Sequence, residues 1–165
     1  MSSSDRRSFL ALLAASPLAA CGFTPAYGPG GPAAALNGQI ALDDPTDKNS
    51  FDLVGRLEER LGRANPGTWR LSYTIAVSQV GLGITSTNTI TRYNVLGTVT
   101  YALRRLDDGS QAAAGQVKNF TSYSASGTIV STTASERDAY ERLMRTLADQ
   151  IVTDLIASSS DWAQP

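Results

Sequence analysis

Histidine is missing from this 165-residue chain, and cysteine occurs once. The first absence removes the commonest general base and metal ligand, and with them every Ser-His or Cys-His dyad. A lone thiol excludes an intrachain disulfide framework, so stability has to come from packing. Paired acids are scarce too. Outside the helical patterns they are Asp43-Asp44 and Asp107-Asp108, both in turn contexts where aspartate serves turn geometry. No catalytic residue and no metal site is expected, and a carboxylate hydrolase is the weakest of the readings weighed. Neither sign of charge dominates: 14 Lys and Arg stand against 15 Asp and Glu, a formal net charge of −1. Nucleic acid, which asks for Lys and Arg clustered on one face, is not an expected partner. No run in the chain reaches the roughly 20 apolar residues that a membrane-spanning helix needs.

What is present begins at the N-terminus, where Arg6-Arg7 precede an apolar run from Phe9 to Ala20. A charged start, a short apolar segment interrupted by Ser16-Pro17 and small residues before a cut make residues 1–20 a secretory signal peptide. The order Leu18-Ala19-Ala20-Cys21 resembles the lipobox of bacterial lipoproteins. That resemblance implies a diacylglycerol on the Cys21 thiol and an N-acyl chain on the same residue after cleavage. Cys21 is then an anchor and not a catalyst. An ordinary signal-peptidase site, or a cysteine packed as a small buried hydrophobe, are the bland alternatives. One acyl chain binds a bilayer marginally, whereas two or three hold it durably. Asp5-Arg6-Arg7-Ser8-Phe9-Leu10 also resembles a twin-arginine signal, which leaves both export routes open. Gly22 stands where an inner-membrane lipoprotein often carries aspartate, so the expected address is the periplasmic side of the outer membrane.

The rest divides by composition. Residues 21–38, with Gly28-Pro29-Gly30-Gly31-Pro32, read as a lipidated N-terminus and flexible tether; residues 39–157 read as one domain, and 158–165 as a frayed tail with Trp162 loosely packed or meeting a partner. Gln39-Ile40-Ala41-Leu42 is a short strand before the turn at Asp43-Asp44-Pro45. Phe51, Leu53, Val54, Leu57 and Leu61 recur at helical spacing after an N-cap at Asn49 or Ser50, and Asn65-Pro66-Gly67 stops that helix. Gly55 inside it marks either close packing or nothing.

Trp69 to Val80 alternates apolar and polar, residues 81–91 read as a loop or bulged turn, and a second alternation runs from Arg92 to Arg105. Asp107-Asp108-Gly109-Ser110 signals a hairpin into a third strand from Ala112 to Ser124. Thr133-Ala134-Ser135-Glu136 fits a capping box for a long helix with a stripe at Tyr140, Leu143, Leu147, Ile151 and Leu155. The order predicts an α+β two-layer sandwich: a four-stranded, mostly antiparallel sheet with two helices packed on one face. The other face carries Ser72, Thr74, Ala76, Asn94, Thr98 and Thr100, and is either solvated or a contact surface.

Cys21-Gly22-Phe23-Thr24-Pro25-Ala26-Tyr27-Gly28, then Gly81-Leu82-Gly83-Ile84, Thr91-Arg92-Tyr93-Asn94 and Leu147-Ala148-Asp149-Gln150-Ile151, resemble in order and spacing the LptE family of lipopolysaccharide-assembly lipoproteins, alphaproteobacterial type. The resemblance covers essentially the whole chain after the signal peptide. It implies a non-enzymatic outer-membrane lipoprotein without cofactor that plugs the LptD β-barrel, supports its assembly and contacts lipopolysaccharide. Phosphates of that ligand ask for Arg or Lys beside apolar surface. Arg92 and Lys118 are the first candidates, with Arg104 and Arg105 after them. The rival reading is another structural envelope lipoprotein, a pilotin-like helper of a different outer-membrane machine.

Overall fold

The computed structural model describes residues 26–28, 31–84 and 89–163. The expected signal peptide, the expected lipidation site Cys21 and residues 85–88 lie outside the described residues. The elements in order are α1 (Pro32–Leu36), β1 (Ile40–Leu42), α2 (Lys48–Leu61), β2 (Trp69–Ile84), β3 (Ile90–Arg105), β4 (Gln111–Ser124) and α3 (Ile129–Trp162). The sheet order is β1-β2-β3-β4. A crossover through α2 makes β1 parallel to β2, while β2, β3 and β4 form an antiparallel meander. The expected α+β sandwich, with its four-stranded sheet and helices on one face, is the fold observed.

Period-two alternation explains which sheet face is buried. Leu71, Val95, Val99, Tyr101, Leu103 and Val117 all point to the helices and are buried there against Leu53 and Leu57 of α2 and Leu143, Leu147, Ile151 and Leu155 of α3. Each such side chain contributes about 1.5–3 kcal/mol on leaving water. Gly97 lets α3 lie close to β3: a Cβ there would stand 2.8 Å from Leu147 Cδ1 and 3.0 Å from Leu143 Cδ2.

The termini of the elements differ from the sequence reading, each for a local reason. The N-cap of α2 is Asp47, whose side chain accepts from the Ser50 amide at 2.7 Å while Ser50 Oγ accepts from the Asp47 amide at 2.8 Å. Phe51, expected in the apolar stripe, is 64% exposed, because it lies two residues before Leu53 and on the opposite side of the helix. The helix α3 begins at Ile129 with Thr128 as N-cap, not at Thr133; Thr133 Oγ1 instead donates to the Ile129 carbonyl at 3.0 Å. The β-branched run there lowers helix propensity by only tenths of a kcal/mol per residue, and propagation of a long packed helix overrides it.

The β2–β3 ladder continues past Gly81 to the pair Ile84 and Ile90, so most of the expected loop is strand. Gly83, at φ 70°, is the irregular point, and Thr91 Oγ1 donates to its carbonyl at 2.8 Å. At the C-terminus, residues read as a frayed tail extend α3, and Trp162 is buried edge-on against Trp69 with ring centroids 5.2 Å apart. The end of the expected tether is likewise ordered: α1 forms there and Leu36 enters the core. Loop composition hid both, since each segment depends on one large side chain finding a distant hydrophobic partner.

Candidate functional site

The sheet face turned away from the helices carries the candidate site. Cross-strand register arranges it in rows: Ala76, Thr98 and Lys118; then Ser78, Leu96 and Phe120; then Val80, Asn94 and Ser122; then Leu82, Arg92 and Ser124. The polar face read from the sequence holds for the rows nearer Trp69. The upper rows are different, because Val80, Leu82, Leu96 and Phe120 lie there 48%, 41%, 42% and 60% exposed. Such a cluster on one exposed face is a contact surface by physical type, since water gains from its burial.

Two cations bracket this patch. Lys118 lies in the first row and Arg92 in the fourth, about 20 Å apart along the strands at roughly 3.3 Å per residue. Arg92 Nη2 donates to Ser122 Oγ at 3.3 Å. The ion pairs formed among the described residues involve neither Arg92 nor Lys118. Arg104 and Arg105 do not join them. Arg104 lies at the far end of β3, where Nη1 donates to the Gly109 carbonyl at 3.4 Å. Arg105 points to the helix side, its guanidinium 4.4 Å from the Trp69 ring centroid and its Nε 3.8 Å from Asp107 Oδ1. The four cations therefore divide into a pair on the patch and two with structural contacts at the opposite end.

Leu82, Leu96 and Phe120 are the surface residues that the sequence reading passed over. Alternation assigned Leu96 and Phe120 to this face, and their apolar character against a polar background was the available signal. Leu82 depended on the longer ladder, which no single-strand pattern contains.

A second ordered cluster ties the N-terminal segment to the domain. Asp149 on α3 accepts from Arg56 Nε at 3.0 Å, Arg56 Nη2 at 3.1 Å and Arg60 Nη1 at 3.0 Å. Its hydrogen bonds to this carboxylate, then to Glu59, raise the pKa of Arg56 further above its ordinary range. Arg60 Nη2 in turn donates to Tyr27 Oη at 2.6 Å. Tyr27, a few residues after Cys21, is thus fastened to the same arginine that clamps α2 to α3. The paired acids at Asp107-Asp108 serve their turn, with Asp108 Oδ1 accepting from the Ser110 amide at 2.8 Å. Among the described residues no group of three His, Cys, Asp or Glu side chains could hold a metal, and no helix is long and apolar enough to cross a membrane.

Comparison with known proteins gives the fold and the family their relatives. The family model described as LptE, lipopolysaccharide-assembly, matches residues 38–155. No curated protein sequence matches the chain. Among solved structures, a lipoprotein of Caulobacter crescentus is similar with a TM-score of 0.67 at 18% identity, covering 81% of this chain and 98% of that one. Rare lipoprotein B of Shewanella oneidensis is similar with a TM-score of 0.57 at 14% identity, over 76% of this chain and 98% of that one. A minor lipoprotein of Acinetobacter baumannii gives 0.55 at 16% identity, over 73% and 93%.

Proposed function

Since the chain belongs to the LptE family of lipopolysaccharide-assembly proteins, we propose that it acts as a lipid-anchored plug of an LptD-type β-barrel. It supports assembly of that barrel at the periplasmic side of the outer membrane. The family is structural and not enzymatic, and its place is the cell envelope. The observation that carries the reading is the family match over residues 38–155. A rigid two-layer body with one uncovered sheet face fits a barrel lumen, which is lined by polar side chains.

Lipid-bearing Cys21 holds this body at the inner leaflet, and the residues after it set its reach. On the sheet face, Lys118 and Arg92 supply charge to phosphates at either end of an apolar patch that accommodates acyl or sugar-ring surface. Arg104 and Arg105 have no part in this contact.

Depletion of the protein tests the role as a whole. Surface lipopolysaccharide and the level of folded barrel both fall if the reading holds; normal values of both would overturn it. The residue assignment has its own test. An Arg92→Ala/Lys118→Ala double variant loses lipopolysaccharide binding severalfold while keeping its melting temperature, and equal binding would remove both residues.

A further inference from the structure

The outer edge of β4 runs beside α3, and between them lies a groove of about 460 Å³ that includes Gln116, Val117 and Lys118 on one wall and Asp149, Gln150 and Asp154 on the other. Antiparallel strands turn the N–H and C=O of alternate residues to alternate sides. On β4 the outward set is fixed by two contacts: the Phe120 amide donates to its neighbour Asn119 Oδ1 at 2.8 Å, and the Ser122 carbonyl accepts from Arg142 Nη2 at 3.4 Å. Gln116 and Lys118 share that parity, so their main-chain groups face the groove. Side chains thus cap the edge at Phe120 and Ser122 and leave it open two residues lower. The strand has no proline and a single charge, Lys118, so little guards that edge against pairing.

The helix wall determines what can enter. Thr146 Oγ1 and Thr153 Oγ1 already donate to the Arg142 and Asp149 carbonyls, at 2.9 and 2.8 Å. Arg56 and Arg60 already occupy the Asp149 carboxylate, so the acceptors that remain are the Asp154 carboxylate, with the Tyr101 hydroxyl on it at 3.3 Å, and Gln150 Oε1, which is buried without a partner. These two acceptors opposite a free ladder favour an extended chain that brings donors. We propose that the β4 edge at Gln116–Lys118 takes an extended, basic segment of a partner protein as a fifth strand, with its Lys or Arg side chains toward Asp154 and Gln150. The upper half of β2 also lacks a neighbouring strand.

A photoreactive residue placed at Lys118 of the full-length lipidated protein, in its own envelope, tests this by mapping the cross-linked segment by mass spectrometry. The expected product is a segment with Lys or Arg at alternate positions. Lys118→Pro removes an outward amide together with the ammonium, so Lys118→Ala is its control: the proline variant lowers association at a photoreactive Gln116 by tenfold or more beyond the alanine variant, with the melting temperature unchanged in both. Gln116→Pro, read from position 118, does the same if the first variant folds poorly. Gln150→Met lowers the yield severalfold and holds or raises the melting temperature, because it removes an orphaned acceptor. A cross-link between two copies of this chain, one to an acidic or helical segment, or a yield unchanged by both proline variants would overturn the proposal. It stands on the groove and not on the barrel: a basic strand of any other envelope protein upholds it while the barrel reading fails.

Discussion

Single side chains control the ends of elements and the pH response. Asp47 caps α2 through the Ser50 amide, and that bond, then the Ser50 side chain, holds its carboxyl below the usual range. Asp47→Ala is expected to cost about 1 kcal/mol, read as a lower urea midpoint at unchanged slope. Gly55, ambiguous in the sequence, proves to face open space, since a Cβ built there meets nothing within 4 Å. Gly55→Ala then stabilises by about 0.5–1 kcal/mol, and a lower melting temperature would contradict that. Tyr101 is pushed up to about 12 by burial first, with the nearby charge of Asp154 and the hydrogen bond to it adding to the shift. The folded state holds this proton more tightly than the unfolded one, so stability is full below about pH 10 and declines as pH rises toward about 12. The slope from this residue peaks at about 1 kcal/mol per pH unit midway through that window, and Tyr101→Phe flattens it in urea titrations there. Burial also raises Tyr73, Tyr123 and Tyr140, so part of the alkaline slope survives the substitution.

At the scale of elements, periodicity was the reliable guide and boundaries were not. The stripe Leu143, Leu147, Ile151 and Leu155 identified α3, and the alternation of β2 and β3 assigned every core residue of those strands to its face. The start of α3 escaped because Ile129 and Val130 gain nothing from packing: they are 87% and 80% exposed and helical only as the leading turn of a helix fixed elsewhere. Its end escaped for the opposite reason, since Trp162 is held by a ring more than ninety residues away in sequence. Trp162→Ala should therefore cost about 3 kcal/mol and unfold the last turns of α3, visible as a loss of hydrogen-exchange protection after Ser158. Were that tail frayed, the substitution would be silent. The candidate site divides the same way. Lys118 and Arg92 were readable as cations on strands, while their separation and the apolar rows between them needed the register.

For the whole molecule, β1 and the first residues of β2 lie at the end where Tyr27 and α1 attach, and the exposed aliphatic residues at the start of α3 lie at the other end. Asp149, which meets the same Arg60 that holds Tyr27, lies twenty residues along α3 from Ile129, or about 30 Å, so the exposed start of α3 stands well away from the N-terminal attachment. A form beginning at residue 31 retains Leu36 and should fold cooperatively, with a single thermal transition; removal of α1 as well would open the cavity Leu36 fills and lower the midpoint by several degrees. The sequence by itself determined the class of the fold, the strand faces, the absence of histidine-based chemistry and the family, because periodicity, composition and short motifs are local properties that survive without coordinates. Only the tertiary structure decided that Leu36 and Trp162 belong to the core, that Arg104 and Arg105 stand apart from Arg92 and Lys118, and that the β4 edge opens onto a groove beside Asp154 and Gln150. Each of these depends on which residues meet across strands and between helices, and contacts of that range are set by packing and register, not by any window of sequence.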